Sequence, residues 1–113
     1  MRRGEIWVAN LNPTRGAEIG KIRPVVVLQA DWLTDEACST VVVMPLSTQA
    51  RPELEPLRIT IPARDRLKQD CQVMTEKIRA LDRSRFGSGP LAHLTDDEMA
   101  LIEQRLRIVL GTS

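Results

Sequence analysis

A small, strongly curved β-sheet or barrel with one late helix is the fold class this sequence predicts. Three observations lead there. The apolar runs are short and β-branched, as in Val25–Leu28 and Thr40–Leu46, and such residues fit a pleated surface. Long polar segments rich in Pro, Gly, Asn and Asp separate them. Helical periodicity is clear only at the C-terminal end, so there is neither a βαβ rhythm nor an internal repeat.

Gly4–Asn10 reads as a first strand, with Ile6 and Val8 on one face and Glu5, Trp7 and Ala9 on the other. Leu11–Ile22 reads as a long loop, opened by Asn12-Pro13 and pivoting at Gly16 and Gly20. Arg23–Gln29 is a second strand. Pro24 pushes Arg23 into extended geometry, so Arg23 stands where a loop meets a rigid strand. That placement suits presentation of a cation to a substrate; an Arg–carboxylate bridge at a strand start is the structural alternative.

Asp31–Ser39 reads as a loop with one helical turn around Trp32, and Thr40–Leu46 as a third strand. Pro45 marks that strand's end as an edge or bulge, because proline cannot donate to a ladder. Leu57–Ile61 alternates apolar and polar and reads as a half-exposed strand. Cys71–Leu81 holds two strand-like pieces, Gln72–Thr75 and Lys77–Leu81, and Asp82 caps a turn that reaches Phe86. Thr95-Asp96-Asp97-Glu98 is a capping box. Met99, Ile102, Leu106 and Val109 follow at helical spacing, and Gly111 ends the helix.

The 113 residues make one domain, 1–113, able to bury a single core. No run reaches membrane-spanning length and no signal-peptide pattern is present, so a soluble cytoplasmic protein without a membrane partner is expected. Cys38 and Cys71 stand apart with no Cys/His cluster and read as free thiols. Net charge is only +1, which gives no global nucleic-acid signature. Basic charge nevertheless gathers in residues 1–29 and 51–90, and the chain holds 13 Arg against 3 Lys. Arg forks suit phosphate, although a GC-rich coding bias gives the same ratio.

Several blocks carry a family resemblance. They are Arg3-Gly4-Glu5-Ile6-Trp7-Val8, Leu11-Asn12-Pro13-Thr14-Arg15-Gly16-Ala17-Glu18, Arg23-Pro24-Val25-Val26-Val27-Leu28, Met44-Pro45-Leu46-Ser47-Thr48-Gln49 and Glu76-Lys77-Ile78-Arg79-Ala80-Leu81-Asp82. In order and spacing the chain resembles the MazF/PemK (Kid) family of toxin endoribonucleases over nearly its whole length. The resemblance implies an SH3-like barrel, shared with the CcdB gyrase poisons, and a homodimer. It implies cleavage of single-stranded RNA without metal or other cofactor. It also implies a cognate antitoxin whose disordered C-terminal segment covers the RNA groove, with operator DNA bound only through that complex.

On this resemblance Arg23 carries the family's essential arginine, and Ser47 falls where the family has a catalytic Ser or Thr, with Thr48 as the alternative one position on. An arginine keeps its proton at neutral pH, so the natural task of Arg23 is to clamp the phosphate rather than to move protons. Ser47 has no base beside it in sequence and reads as a donor to phosphate, not a covalent nucleophile; a strand-end hydroxyl serving the backbone is the structural alternative. Glu18 lies within reach of Arg23 if the loop folds over, either as general base or as a group that holds Arg23. The single histidine, His93, excludes a two-histidine mechanism within one chain and reads as a surface or capping residue.

Recognition is expected from Asn10, Asn12, Arg15 and Lys21 around the loop, from Thr48 and Gln49, and from Glu76, Lys77 and Arg79. Single-stranded RNA is read through splayed bases and their Watson–Crick edges. Trp7 and Trp32 are expected in the core or at a dimer interface rather than as stacking platforms. The rival reading is a CcdB-like binding toxin, which would not need the Arg23, Ser47 and Glu18 set.

Overall fold

Three antiparallel strands form the centre of the molecule: β1 (Glu5–Asn10), β2 (Ile22–Val27) and β3 (Thr40–Ser47). The computed structural model describes residues 1–36 and 38–112. Ala37, within the loop expected over Asp31–Ser39, lies outside the described residues. A short helix, α1 (Asp31–Asp35), joins β2 to β3. β4 (Arg58–Ile61), β5 (Cys71–Met74), β6 (Arg79–Asp82) and β7 (Ala92–His93) follow, and α2 (Asp96–Leu110) closes the chain.

The strand order is β4-β5-β3-β2-β1-β7, with β6 also beside β3. β3 therefore serves two neighbours on one side. Its first half, Thr40–Val43, pairs with Asp82–Arg79 of β6, and its end pairs Leu46 with Val73 and Ser47 with Gln72 of β5. Between β5 and β6 the chain makes a 3-10 turn, Thr75–Lys77. Pro45 stands where β3 changes partner, so the expectation of an edge is corrected: β3 is central. A missing N–H costs little at a break between partners. Beyond β6, Phe86 bridges to Ala9 and the Gly87 N–H donates to the Val8 carbonyl at 2.8 Å. The sheet thus curls back on itself as a half-barrel.

The apolar runs are largely buried, with Leu28 and Val42 half-buried, because both faces of the sheet are covered. Val26, Met44, Leu46 and Ile6 pack with Met99 and Ile102 of α2 on one face. Val25, Val27, Val41, Val43 and Leu81 form a second cluster on the other face, flanked by Trp7 and Phe86. Each such side chain contributes about 1.5–3 kcal/mol by leaving water. At the start of α2 the Thr95 hydroxyl accepts from the Glu98 N–H and the Glu98 carboxylate accepts from the Thr95 N–H, completing the capping box. Gly111 at φ 71° ends the helix in the left-handed region.

Candidate active site

Opposite residues of β2 and β3 stay paired as far as Val25 and Pro45. Two positions further along each strand, in the same register, come Arg23 and Ser47. Residues two apart share a face, so both side chains project to the same side. Pro24, whose nitrogen faces β3, has no N–H to extend the ladder, and here the strands part. A cleft of 420 Å³ opens between them, lined by Arg23, Pro24, Ser47, Thr48, Gln49 and Lys21 among others.

Arg23 is aimed by its own loop. Its Nε donates to the Gly20 carbonyl at 2.8 Å, and its terminal amino groups make no hydrogen bond to any described residue. Ser47 is buried, and its Oγ accepts from the Gln49 N–H at 3.1 Å. That bond fixes the oxygen and leaves the hydroxyl proton free to be donated. A second cavity, of 380 Å³, adjoins the cleft; Arg23 and Ser47 line it together with Arg51, Arg58, Glu76 and Lys77.

Arg58 and Glu76 form a pair in that cavity. Arg58 Nη2 lies 2.8 Å from Glu76 Oε2 and its Nε lies 3.4 Å from Oε1. Burial pushes the Glu76 carboxyl up, but the Arg58 hydrogen bond and charge, a backbone N–H and the Lys77 charge together hold the group below the usual carboxylate range. Glu76 is therefore a fixed anion rather than a ready base.

The loop that carries Glu18 is closed at its neck. The Leu11 N–H donates to the Lys21 carbonyl at 2.9 Å, and the Lys21 N–H donates to Asn12 Oδ1 at 3.1 Å. Asn10 Oδ1 in turn accepts from the Asn12 N–H at 3.0 Å. These asparagines shape the loop base. Farther out, Lys77 Nζ donates to the Ala17 carbonyl at 3.1 Å, which ties the loop to the Thr75–Lys77 turn. The Glu18 carboxylate is exposed and accepts from the Arg15 N–H at 2.6 Å. It does not line either cavity of Arg23 and Ser47. Instead it lines a third one, of 340 Å³, with Arg15, Ile19, Glu76, Lys77, Ile78 and Arg79.

Sequence reasoning thus brings Arg23, Ser47, Thr48, Gln49 and Lys21 to one cleft, and Glu18, Arg15, Lys77 and Arg79 to the adjoining one. It missed Arg58 and Arg51. Arg58 was read on the exposed face of an alternating strand, whereas its side chain is only 5% exposed. The one available signal was the acidic Glu76 in a facing segment. His93 sits on β7 opposite Glu5, with Nε2 3.4 Å from Glu5 Oε2, away from the cleft. Trp7 is half-buried against the second core cluster and donates to Glu5 at 3.0 Å, while Trp32 is 67% exposed. Cys38 and Cys71 are free. Among the described residues no helix is long and apolar enough to cross a membrane, and no group of three or more His, Cys, Asp or Glu is placed to hold a metal ion.

Comparison with known proteins identifies the family and agrees with the fold. The family model described as PemK-like, MazF-like toxin of type II toxin–antitoxin system matches residues 2–110. The endoribonuclease MazF of Staphylococcus saprophyticus is 33% identical over 112 residues, which is 98% of this chain and 92% of that protein. The crystal structure of MazF (Form-I) from Deinococcus radiodurans superposes with a TM-score of 0.85 at 28% identity, covering 98% of this chain and 96% of that one. The MazE–MazF (Form-III) structure from the same organism gives a TM-score of 0.79 at 26% identity, covering 100% and 98%. With the match spanning nearly every residue of the half-barrel and its helix, the chain belongs to the PemK-like, MazF-like toxin family of type II toxin–antitoxin systems.

Proposed function

We propose that this chain, an endoribonuclease of the MazF type, cuts single-stranded RNA by driving the ribose 2′-oxygen onto the adjacent phosphorus. The observation that carries the reading is the pairing of Arg23 and Ser47 across the cleft, one with a free guanidinium fork and the other with a free hydroxyl proton. Arg23 grips two phosphate oxygens and Ser47 donates to one of them. Charge builds on those oxygens in the transition state, and such preorganised donors are worth about 3–4 kcal/mol each. Glu18 takes the 2′-OH proton once RNA draws the loop across. The bond to the 5′-oxygen breaks, and that oxygen takes a proton from solvent in the open cleft. The products are a 2′,3′-cyclic phosphate and a 5′-hydroxyl, and no step calls for a metal.

Lys21, Thr48 and Gln49 on one side, and Arg15, Glu76, Lys77 and Arg79 on the other, hold the flanking nucleotides, with Asn10 and Asn12 shaping the loop. Two chains pair about a twofold axis, which lengthens the groove. A cognate antitoxin, of the kind present in the MazE–MazF structure, lays a disordered C-terminal segment over it. Ordering that segment on binding costs entropy, so charge attraction carries much of its affinity.

The test is incubation of the purified protein with a long defined RNA in EDTA, mapping every 5′ end, beside Arg23→Ala. Cuts clustered at one motif and lost in the variant support the proposal. A substrate with deoxyribose at the scissile nucleotide must resist cleavage; if it is still cut, 2′-oxygen attack is wrong.

A further inference from the structure

Arg79 lines the 340 Å³ cavity next to the cleft, and its guanidinium makes no hydrogen bond to any described residue. Its Nη1 is shut off from solvent with no partner. The other guanidinium nitrogens of this half-buried side chain also lack a partner among the described residues, so a ligand in the cavity can meet them. The same cavity has Ile19 and Ile78 as apolar walls, which suit the faces of a flat ring. Glu76 borders both this cavity and the Arg23–Ser47 cavity, and Arg58 holds its carboxylate in place. The cavity therefore adjoins the one that Arg23 and Ser47 line. It offers donors from Arg79 beside fixed acceptors from Glu76.

We propose that this cavity takes the nucleobase next to the cut, and that the base is guanine. The pattern of the Watson–Crick edges decides among the four bases. Guanine presents an acceptor, O6, followed by two donors, N1–H and N2–H. Arg79 matches the acceptor and the Glu76 carboxylate matches the two donors. Cytosine offers the carboxylate a single donor group, its N4 amino, and so leaves one of the two carboxylate oxygens unmet. Uracil places O2 or O4 against the same carboxylate, and adenine has only one donor group for it. The proposal rests on the endoribonuclease reading and adds which base that enzyme selects.

Two measurements on the full-length protein test it. The first aligns all cut sites from a long RNA and repeats the alignment with Arg79→Met. Guanine at one fixed position beside the cut, with its preference lowered tenfold or more in the variant, supports the proposal. Inosine at that position, which lacks N2–H, should lower the cleavage rate about tenfold. Cuts with no guanine at a fixed position overturn the proposal while leaving the nuclease reading intact. The second follows the methyl resonances of Ile19 and Ile78 by NMR as GMP, AMP, CMP or UMP is added. Shifts with GMP alone support a guanine cavity even if no RNA is cut. Equal shifts with all four nucleotides, or none with GMP, overturn it.

Discussion

Arg58 on β4 grips Glu76 in the turn after β5 through two hydrogen bonds, from a position where its side chain is 5% exposed. The pair joins the edge strand to the turn that carries Lys77, and it forms one wall of the Arg23–Ser47 cavity. Removing one partner of a buried pair leaves the other charge uncompensated. Arg58→Met should therefore lower unfolding free energy by about 3 kcal/mol, read by urea titration. Adding Glu76→Leu to that variant should recover most of the loss. A double variant as unstable as the single would show that the pair itself, rather than the stranded charge, holds the wall.

Acid should loosen the molecule through its carboxylates. In Glu98 the hydrogen bonds from Arg64, at 2.6 and 2.7 Å, lead in holding the carboxyl below its ordinary value. In Glu76 and Glu5 burial pushes the other way but is outweighed, by Arg58, a backbone N–H and the Lys77 charge together in the first and by the Arg2 N–H and the Trp7 indole in the second. A lowered folded-state pKa gives stability that is present above the unfolded value and lost as pH falls through the folded one. The urea midpoint should stay level above about pH 5 and drop below about pH 4. Arg64→Met should flatten part of that drop, measured on the same pH series.

Arg23 and Ser47 should separate by chemistry. Arg23→Ala should cut the single-turnover rate about 10³-fold, and Arg23→Lys should recover little, because an ammonium cannot span two phosphate oxygens. Ser47→Ala should cost about 10²-fold and Ser47→Thr much less. Thr48→Ala serves as the register control. If Thr48→Ala were the more damaging change, the active hydroxyl would lie one residue on.

Glu18→Gln should slow cleavage with little change in RNA affinity, measured by single-turnover kinetics beside filter binding. Glu76→Gln should instead alter which sites are cut, because its carboxylate is engaged by Arg58 and not free to take a proton. An unchanged rate in Glu18→Gln would remove that residue from the mechanism.

The central strands and α2 were legible because their signals are local: β-branched runs, a capping box and a terminal glycine. The curvature was legible in the short strands and long loops, but its SH3-like identity only through the matching blocks. β7 was not seen, since two residues, Ala92 and His93, become a strand solely by pairing with Ile6 and Glu5. Pro45 misled because its effect depends on which neighbour β3 has at that point, a property of the assembled sheet. Arg58 was misplaced for a related reason: its partner lies 18 positions away. Arg23 and Ser47 were legible as types and positions. Their matching register, and the displacement of Glu18 into the next cavity, belong to three-dimensional structure alone.

The parting of β2 and β3 beyond Val25 and Pro45 has a consequence for how activity could be gained or lost. The proposed reaction centre is an unzipped seam, where Pro24 offers no hydrogen to close it. Restoring that hydrogen by Pro24→Val would let the seam knit, turning the guanidinium and hydroxyl into neighbours on a sealed surface. Such a protein should melt at a higher temperature and cut RNA poorly, a trade in which regularity is gained where the molecule works by being incomplete.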